Sequence, residues 1–302
     1  MSESHMHLLD PAPFGRVIPA MVTPMTKNGD IDFDAAAKLA QNLVADGADG
    51  LLVNGTTGES PTTHMDEKAD LVRAVKEAVT VPVISGSGSN DTAHTVRMSE
   101  IMQEAGADGL LVVAPYYSRP SQNGIVAHYA SVDKAVSAPM IVYDVPGRTG
   151  VKIEVNTYCR LAELQHVTAV KDATGDLAGA IKKHAATGLT WYSGDDGIVL
   201  PFLSMGAVGV ISVIAHVASA PLQEMMKAFD SGDIRHAREV AVRLSPLVDA
   251  LNGDGFQAVM AKAALQIKGY IPGSFMRLPN VGPGAKELDK AEEGMRSSGL
   301  LG

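Results

Sequence analysis

Gly47-Ala48-Asp49-Gly50-Leu51-Leu52-Val53 recurs as Gly106-Ala107-Asp108-Gly109-Leu110-Leu111-Val112, 59 residues further along. Each copy closes a helical pattern, turns at glycine and enters a short apolar run. A span of that length holds two β/α units, and a third apolar run, Val81-Pro82-Val83-Ile84-Ser85, lies between the copies as that count requires. Working outward gives eight strands, at about 16–22, 50–54, 81–85, 109–114, 139–144, 167–171, 189–193 and 208–213. Most are nearly continuous apolar runs, which suits parallel strands covered on both faces. Helical patterns fill the gaps, among them 34–45, 66–79 and 91–105, with Asp66 and Asp91 at the expected N-cap positions. Eight alternating units favour an α/β fold of the (β/α)8 TIM barrel type over an open doubly wound sheet. Residues 1–230 are assigned to this barrel and its catalytic site. Residues 231–302 are assigned to a C-terminal helical appendage, with helical patterns at 234–250, 256–269 and 285–298.

Composition narrows the function. The chain has 302 residues, 34 acidic and 25 basic, for a net charge of −9. An acidic chain with no run of Lys or Arg lacks the electrostatic footprint of a nucleic-acid binder. One cysteine, Cys159, excludes an internal disulfide and a thiolate metal cluster, and fits a reducing, cytoplasmic setting. Residues 1–13 do not read as a signal peptide. The stretch from Gly197 to Gln223 carries no Asp, Glu, Lys or Arg, but Pro201, Gly206, Gly209, His216 and Pro221 interrupt it. It reads as a short helix, a buried strand and the next helix, with no membrane span.

In a barrel of this kind, chemistry sits on the loops after the strands. After the second strand comes Gly55-Thr56-Thr57-Gly58-Glu59-Ser60. Such a loop either aims N–H groups and hydroxyls at a small carboxylate or is a tight turn whose threonines satisfy local backbone. After the fourth, Pro115-Tyr116-Tyr117-Ser118 carries two tyrosines that cannot both face one pocket from an extended segment. The fifth ends in Tyr143-Asp144-Val145-Pro146-Gly147-Arg148-Thr149-Gly150. It places a phenol at the barrel mouth and a guanidinium that grips a carboxylate or ties down its own loop. The sixth ends in Lys171, where most other lysines read as surface. A lysine held in a partly desolvated mouth favours its neutral, nucleophilic form. The alternative is a structural pair with Asp172 or Asp176. After the seventh, Asp195 and Asp196 are acid/base groups or helix caps, and no companion residues have metal-ligand spacing. Gly86-Ser87-Gly88 lacks the third glycine of a dinucleotide site. His5 and His7 lie near the N-terminus, and the nine histidines form no helix-spaced pair.

These motifs together resemble the dihydrodipicolinate synthase family of pyruvate-dependent class I aldolases, the superfamily that includes N-acetylneuraminate lyase. The resemblance runs from about Gly15 to Leu301, through residues 55–60, 115–117, 143–150, 170–175, 193–196 and 209–213. It implies that Lys171 forms an imine with pyruvate, and that Thr57 and its neighbouring amide hold the pyruvate carboxylate. It implies a proton relay of Tyr143, Thr56 and Tyr117, with Tyr117 crossing a tight-dimer interface in a homotetramer. It implies that Arg148 binds the carboxylate of L-aspartate 4-semialdehyde, and that the backbone at Ile211 lies beside the imine. No metal or redox cofactor is implied. The product is 4-hydroxy-tetrahydrodipicolinate, on the diaminopimelate route to lysine. Asp144 stands where many members carry asparagine, a change that leaves the tyrosine before it in place. Arg148 separates the synthases from sugar-acid lyases, and the four residues Lys171, Tyr143, Thr56 and Thr57 argue against a catalytically silent barrel. In members inhibited by lysine, a histidine and a glutamate help to form the inhibitor pocket. Lys68 and His94 stand at those positions here, so the chain is expected to be insensitive to lysine.

Overall fold

The computed structural model describes residues 12–253 and 255–301; His5 and His7 lie outside them. Along the chain run β1 (Val17–Pro19), α1 (Phe33–Ala45), β2 (Leu51–Val53), α2 (Met65–Ala78), β3 (Val83–Gly86), α3 (Thr92–Glu104), β4 (Gly109–Val113) and α4 (Gln122–Asp133). Then follow β5 (Met140–Asp144), α5 (Pro146–Thr149), α6 (Val155–Leu161), β6 (Val167–Asp172), α7 (Leu177–Thr187), β7 (Thr190–Ser193), α8 (Val199–Leu203), β8 (Gly209–Ser212) and α9 (Ala215–Asp230). Three further helices complete the chain: α10 (Ile234–Asn252), α11 (Gln257–Ile267) and α12 (Ala285–Ser297).

The strands pair in parallel in the order β1-β8-β7-β6-β5-β4-β3-β2. A parallel bridge between Ala20 and Leu52, with Met21 N–H donating to the Leu52 carbonyl at 2.8 Å, brings the two ends together. The expected barrel is therefore present, with paired segments shorter than the apolar runs that announced them. A strand in a closed barrel is tilted, so only its middle residues meet both neighbours.

Alternation along the strands sorts the side chains into two layers. Ile18, Leu52, Ile84, Leu111, Ile141, Ala169, Tyr192 and Ile211, one from each strand, pack inside the barrel. Val17, Leu51, Val83, Leu110, Val142, Val170 and Val210 face the helices. That double burial is why the strands read as unbroken apolar runs.

Asp91 caps α3 as expected, accepting from the N–H groups of Ala93 and His94. Asp66 does not cap α2. His64 occupies that position, and the Glu67 carboxylate accepts its N–H at 2.8 Å. Asp66 instead lies in the first turn, where its charge favours the positive end of the helix. The uncharged stretch 197–223 divides among a short turn, α8, β8 and the start of α9. Among the described residues, no helix is long and apolar enough to cross a membrane.

The repeat that revealed the fold has a packing cause. Phe14, itself buried, closes the bottom of the barrel against the glycines that open β2 and β4. A Cβ at Gly50 would lie 1.9 Å from the Phe14 carbonyl oxygen, and one at Gly109 would lie 2.6 Å from its ring. A ring can rotate away and a backbone carbonyl cannot. Gly109→Ala should cost on the order of 1–3 kcal/mol, and Gly50→Ala clearly more, in denaturant unfolding. An alanine at 109 as damaging as one at 50 would refute this account.

Candidate active site

The strand ends bring most of the expected residues to one mouth. Tyr143 on β5 stands beside Lys171 on β6 in the parallel register. The Lys171 ammonium lies 4.6 Å from the centre of the Tyr143 ring. Thr56 borders the same cavity as the Tyr143 phenol and helps to hold its pKa down. Burial pushes the phenol's pKa up, opposed by the positive charge of Arg148. Lys171 is 6% exposed. Burial lowers its pKa from 10.5 to about 8, the Asp196 carboxylate works against that shift, and Arg148 adds to it. At Gly194 a Cβ would sit 3.1 Å from Lys171 Cε, so the glycine after β7 leaves room for the lysine arm.

The structural alternatives for Lys171 find other partners. Asp172 points away from the mouth, where it accepts from Trp191 Nε1 at 3.3 Å and lies 3.9 Å from Lys183 Nζ. Asp176 caps α7, accepting from Gly179 N–H at 2.9 Å. Asp195 caps the turn Asp196–Ile198. Asp196 is buried, and its Oδ2 accepts from the N–H groups of Val213 and Ile214 and from Asn252 Nδ2.

Thr56, Tyr143, Arg148 and Tyr116 line a cavity of about 580 Å³, with Phe256 and Asn280 contributed from beyond the barrel. Lys171, Thr57 and Ile211 are buried and do not line it. Arg148 lies on the single turn α5, and the only hydrogen-bond partner of its guanidinium among the described residues is Gln257, at 3.5 Å. Its guanidinium is thus nearly unengaged by its own loop. The two tyrosines separate, but across a tight turn and not along an extended segment: Ser118 N–H donates to the Tyr116 carbonyl at 2.9 Å. Tyr116 faces the cavity, whereas Tyr117 is 89% exposed, with a left-handed backbone at φ +74°. Tyr117 does not join this chain's own cavity. Lys68 and His94 both border it, but Lys68 is buried, its amine donating to the carbonyls of Ser60 and Thr63. Burial lowers the Lys68 pKa to about 8.

Behind the mouth lies a group that the sequence did not reveal. Asp144 and Asp172 are paired in register and fully buried, with Lys183 of α7 between them. Asp144 Oδ2 accepts from Tyr158 OH at 2.9 Å and from Lys183 Nζ at 3.3 Å, while Oδ1 has no partner among the described residues. Sequence spacing does not connect position 144 with 183; only the docking of α7 does.

A barrel with a buried lysine and a phenol at adjacent strand ends defines a class I aldolase-type lyase. A model of the dihydrodipicolinate synthetase family matches residues 13–295. The 4-hydroxy-tetrahydrodipicolinate synthase of Bifidobacterium longum is 72% identical over 301 residues, 100% of each chain. That of Corynebacterium jeikeium is 51% identical over 294 residues, 96% of each. Among solved structures, DHDPS from Cyanidioschyzon merolae with lysine bound superposes with a TM-score of 0.92 at 38% identity, over 96% of this chain and 99% of that one. Dihydrodipicolinate synthase from Thermotoga maritima gives 0.91 at 36%, over 95% and 99%. The chain belongs to the dihydrodipicolinate synthetase family.

Burial raises the Asp144 pKa from 3.8 to about 6, against the pull of Lys183. A carboxyl raised on folding lends stability that is complete below its unfolded pKa and lost as pH climbs through the folded value. Asp144→Asn keeps an acceptor for Tyr158 and Lys183 and removes the charge. Relative to the parent, this variant should gain stability between about pH 4 and pH 7, by on the order of 3 kcal/mol. Chemical denaturation across that range measures it, and a difference that stays flat with pH would overturn the assignment.

Proposed function

We infer that this enzyme condenses pyruvate with L-aspartate 4-semialdehyde to give 4-hydroxy-tetrahydrodipicolinate, on the diaminopimelate route to lysine. The observation that carries the reading is Lys171, buried at a strand end with its pKa lowered, against the ring of Tyr143. In this reading the neutral amine adds to the pyruvate ketone, and loss of water leaves a protonated imine. That cation takes up the electron pair released when a methyl proton departs, giving an enamine. The enamine carbon bonds to the aldehyde carbon of the semialdehyde, whose oxygen takes a proton. The substrate's own amine then attacks the imine carbon, closes the ring and frees Lys171. The steps are additions, eliminations and proton transfers, and they call on no metal or redox cofactor.

The remaining residues take the following roles. Thr57 and its neighbouring amide hold the pyruvate carboxylate. The Ile211 backbone lies beside the imine. Tyr143 and Thr56, which border one cavity, pass protons. Arg148 receives the carboxylate of the semialdehyde as a bidentate pair. Tyr117 completes the relay in a second copy of the chain. Its exposure and left-handed backbone suit an aromatic side chain held out for insertion into a neighbour. Pairs of such dimers form a homotetramer working in the cytoplasm, with no nucleic-acid or membrane partner. Residues 1–230 carry the chemistry and 231–302 form the supporting appendage.

Trapping with pyruvate and borohydride, followed by peptide mapping, tests the reading. The adduct should fall on Lys171 and vanish in Lys171→Ala. Its rate should rise with pH through about 8 and level off above, because the neutral amine is the reactant. Arg148→Ala should trap pyruvate at close to the parent rate while turnover falls on the order of 30-fold or more, the loss of one charged bidentate contact. An adduct on another lysine would sink the mechanism.

The enzyme is also read as insensitive to lysine. An approaching ammonium meets Lys68 and His94 at the cavity border, where the carboxylate of inhibited members is replaced by an imidazole, and Glu59 of the lining is already paired with Lys262. Titrating L-lysine into the turnover assay should leave the rate unchanged at millimolar concentration; half-inhibition below that overturns the reading.

A further inference from the structure

Glu59 ends the Gly-Thr-Thr-Gly loop, and the mechanism above gives it no task. Its backbone is left-handed, at φ +59°, which a glutamate adopts only when its surroundings hold it there. Both of its carboxylate oxygens are engaged. Oε1 accepts from Lys262 Nζ at 2.6 Å, and Oε2 accepts from the Arg277 N–H at 3.2 Å. The side chains of Glu59 and Lys262 are both 0% exposed, and 203 residues separate them. Lys262 belongs to α11, outside the barrel, and its amine also donates to the Phe275 carbonyl at 2.6 Å. Arg277 extends the clamp, donating to the carbonyls of Gly29 and Thr62 and pairing with Glu67.

The same end of the loop is also tied to the loop itself and to the segment after β1. Glu59 N–H donates to the Thr56 carbonyl at 3.1 Å, and Thr23 Oγ1 donates to the Gly58 carbonyl at 2.7 Å. Thr56 and Thr57 thus lie between the end of β2 and the pair Gly58-Glu59, which Thr23 and the C-terminal segment hold in place. Neither Glu59 nor Lys262 touches the reacting atoms in the proposed chemistry.

We propose that the buried Glu59–Lys262 ion pair is a positioning device that sets the Thr56-Thr57 loop for the pyruvate carboxylate, so that a helix outside the barrel determines affinity for the first substrate. The proposal rests on the reading of Thr57 as the carboxylate holder. A buried pair broken on one side leaves an uncompensated charge that drags its surroundings toward water, whereas removing both charges together relieves that pull.

The test uses the full-length enzyme, with steady-state kinetics and borohydride trapping at graded pyruvate concentrations. Lys262→Met should raise the pyruvate KM tenfold or more, leave kcat at saturating pyruvate within threefold, and leave the semialdehyde KM unchanged. The double change Glu59→Gln with Lys262→Met should recover most of the pyruvate affinity. Glu59→Asp, which keeps the charge and shortens the arm by one methylene, should raise the pyruvate KM in the same selective way. It decides the matter if Lys262→Met does not fold. Pyruvate KM values within twofold of the parent, or an equal loss in kcat and both KM values, would overturn the positioning role. A parent enzyme that traps no pyruvate would overturn the catalytic reading together with this one. Normal trapping in the parent beside variants with unchanged pyruvate dependence would overturn this one alone.

Discussion

The organisation of the site depends on the alternation of two neighbouring strand ends. β5 and β6 finish in register, so Tyr143 meets Lys171 on the inner face, and Asp144 meets Asp172 on the outer. Two carboxylates side by side in an apolar layer would repel each other at high cost in low dielectric. Lys183, delivered by α7, stands between them and makes the arrangement tolerable. In this chain the strand that presents a phenol to the mouth therefore has a lysine behind it. Outer-layer packing and the proposed chemistry of the inner face are consequences of the same register.

Charge is handled differently on the two faces. Inside, Lys171 has no close carboxylate partner to fix it as an ammonium; desolvation outweighs the attraction of Asp196, and the amine is left near neutrality. Outside, Lys183 is held by Asp144 and Asp172 and serves packing. The two lysines come from adjacent segments and have similar burial, and the difference lies in what faces each. Surroundings, and not residue type, separate a group available for addition chemistry from one that holds a fold together.

Much of this was legible in the sequence. The repeated Gly-Ala-Asp-Gly run gave the β/α period, and Lys171 stood out because it ends an apolar strand. The 55–60 and 143–150 motifs located Thr56, Tyr143 and Arg148, which the fold brings to one cavity. What could not be read depends on contacts between distant segments. Lys183 and Lys262 look like ordinary helix lysines in sequence, and only tertiary docking buries them against Asp144 and Glu59. Asp66 was expected to cap α2 because it opens the helical pattern, but the Glu67 contact to His64 starts the helix earlier. Tyr117 was legible as one of a divergent pair, yet its exposure is a property of backbone conformation that no spacing reports.

The bond between Glu59 and Lys262 also orders events in time. A chain emerging from the ribosome presents its second strand and the loop after it long before residue 262 exists. The barrel strands can collapse on one another in the interval, since domains fold as their residues become available. Until α11 arrives, however, the loop's carboxylate stays open to water, and its left-handed glutamate has only the local bonds of the loop to hold it. On the positioning role proposed for this pair, the loop takes its final shape last, when the C-terminal helices dock. A nascent or truncated chain that already has every strand of the barrel still lacks the means to shape its mouth.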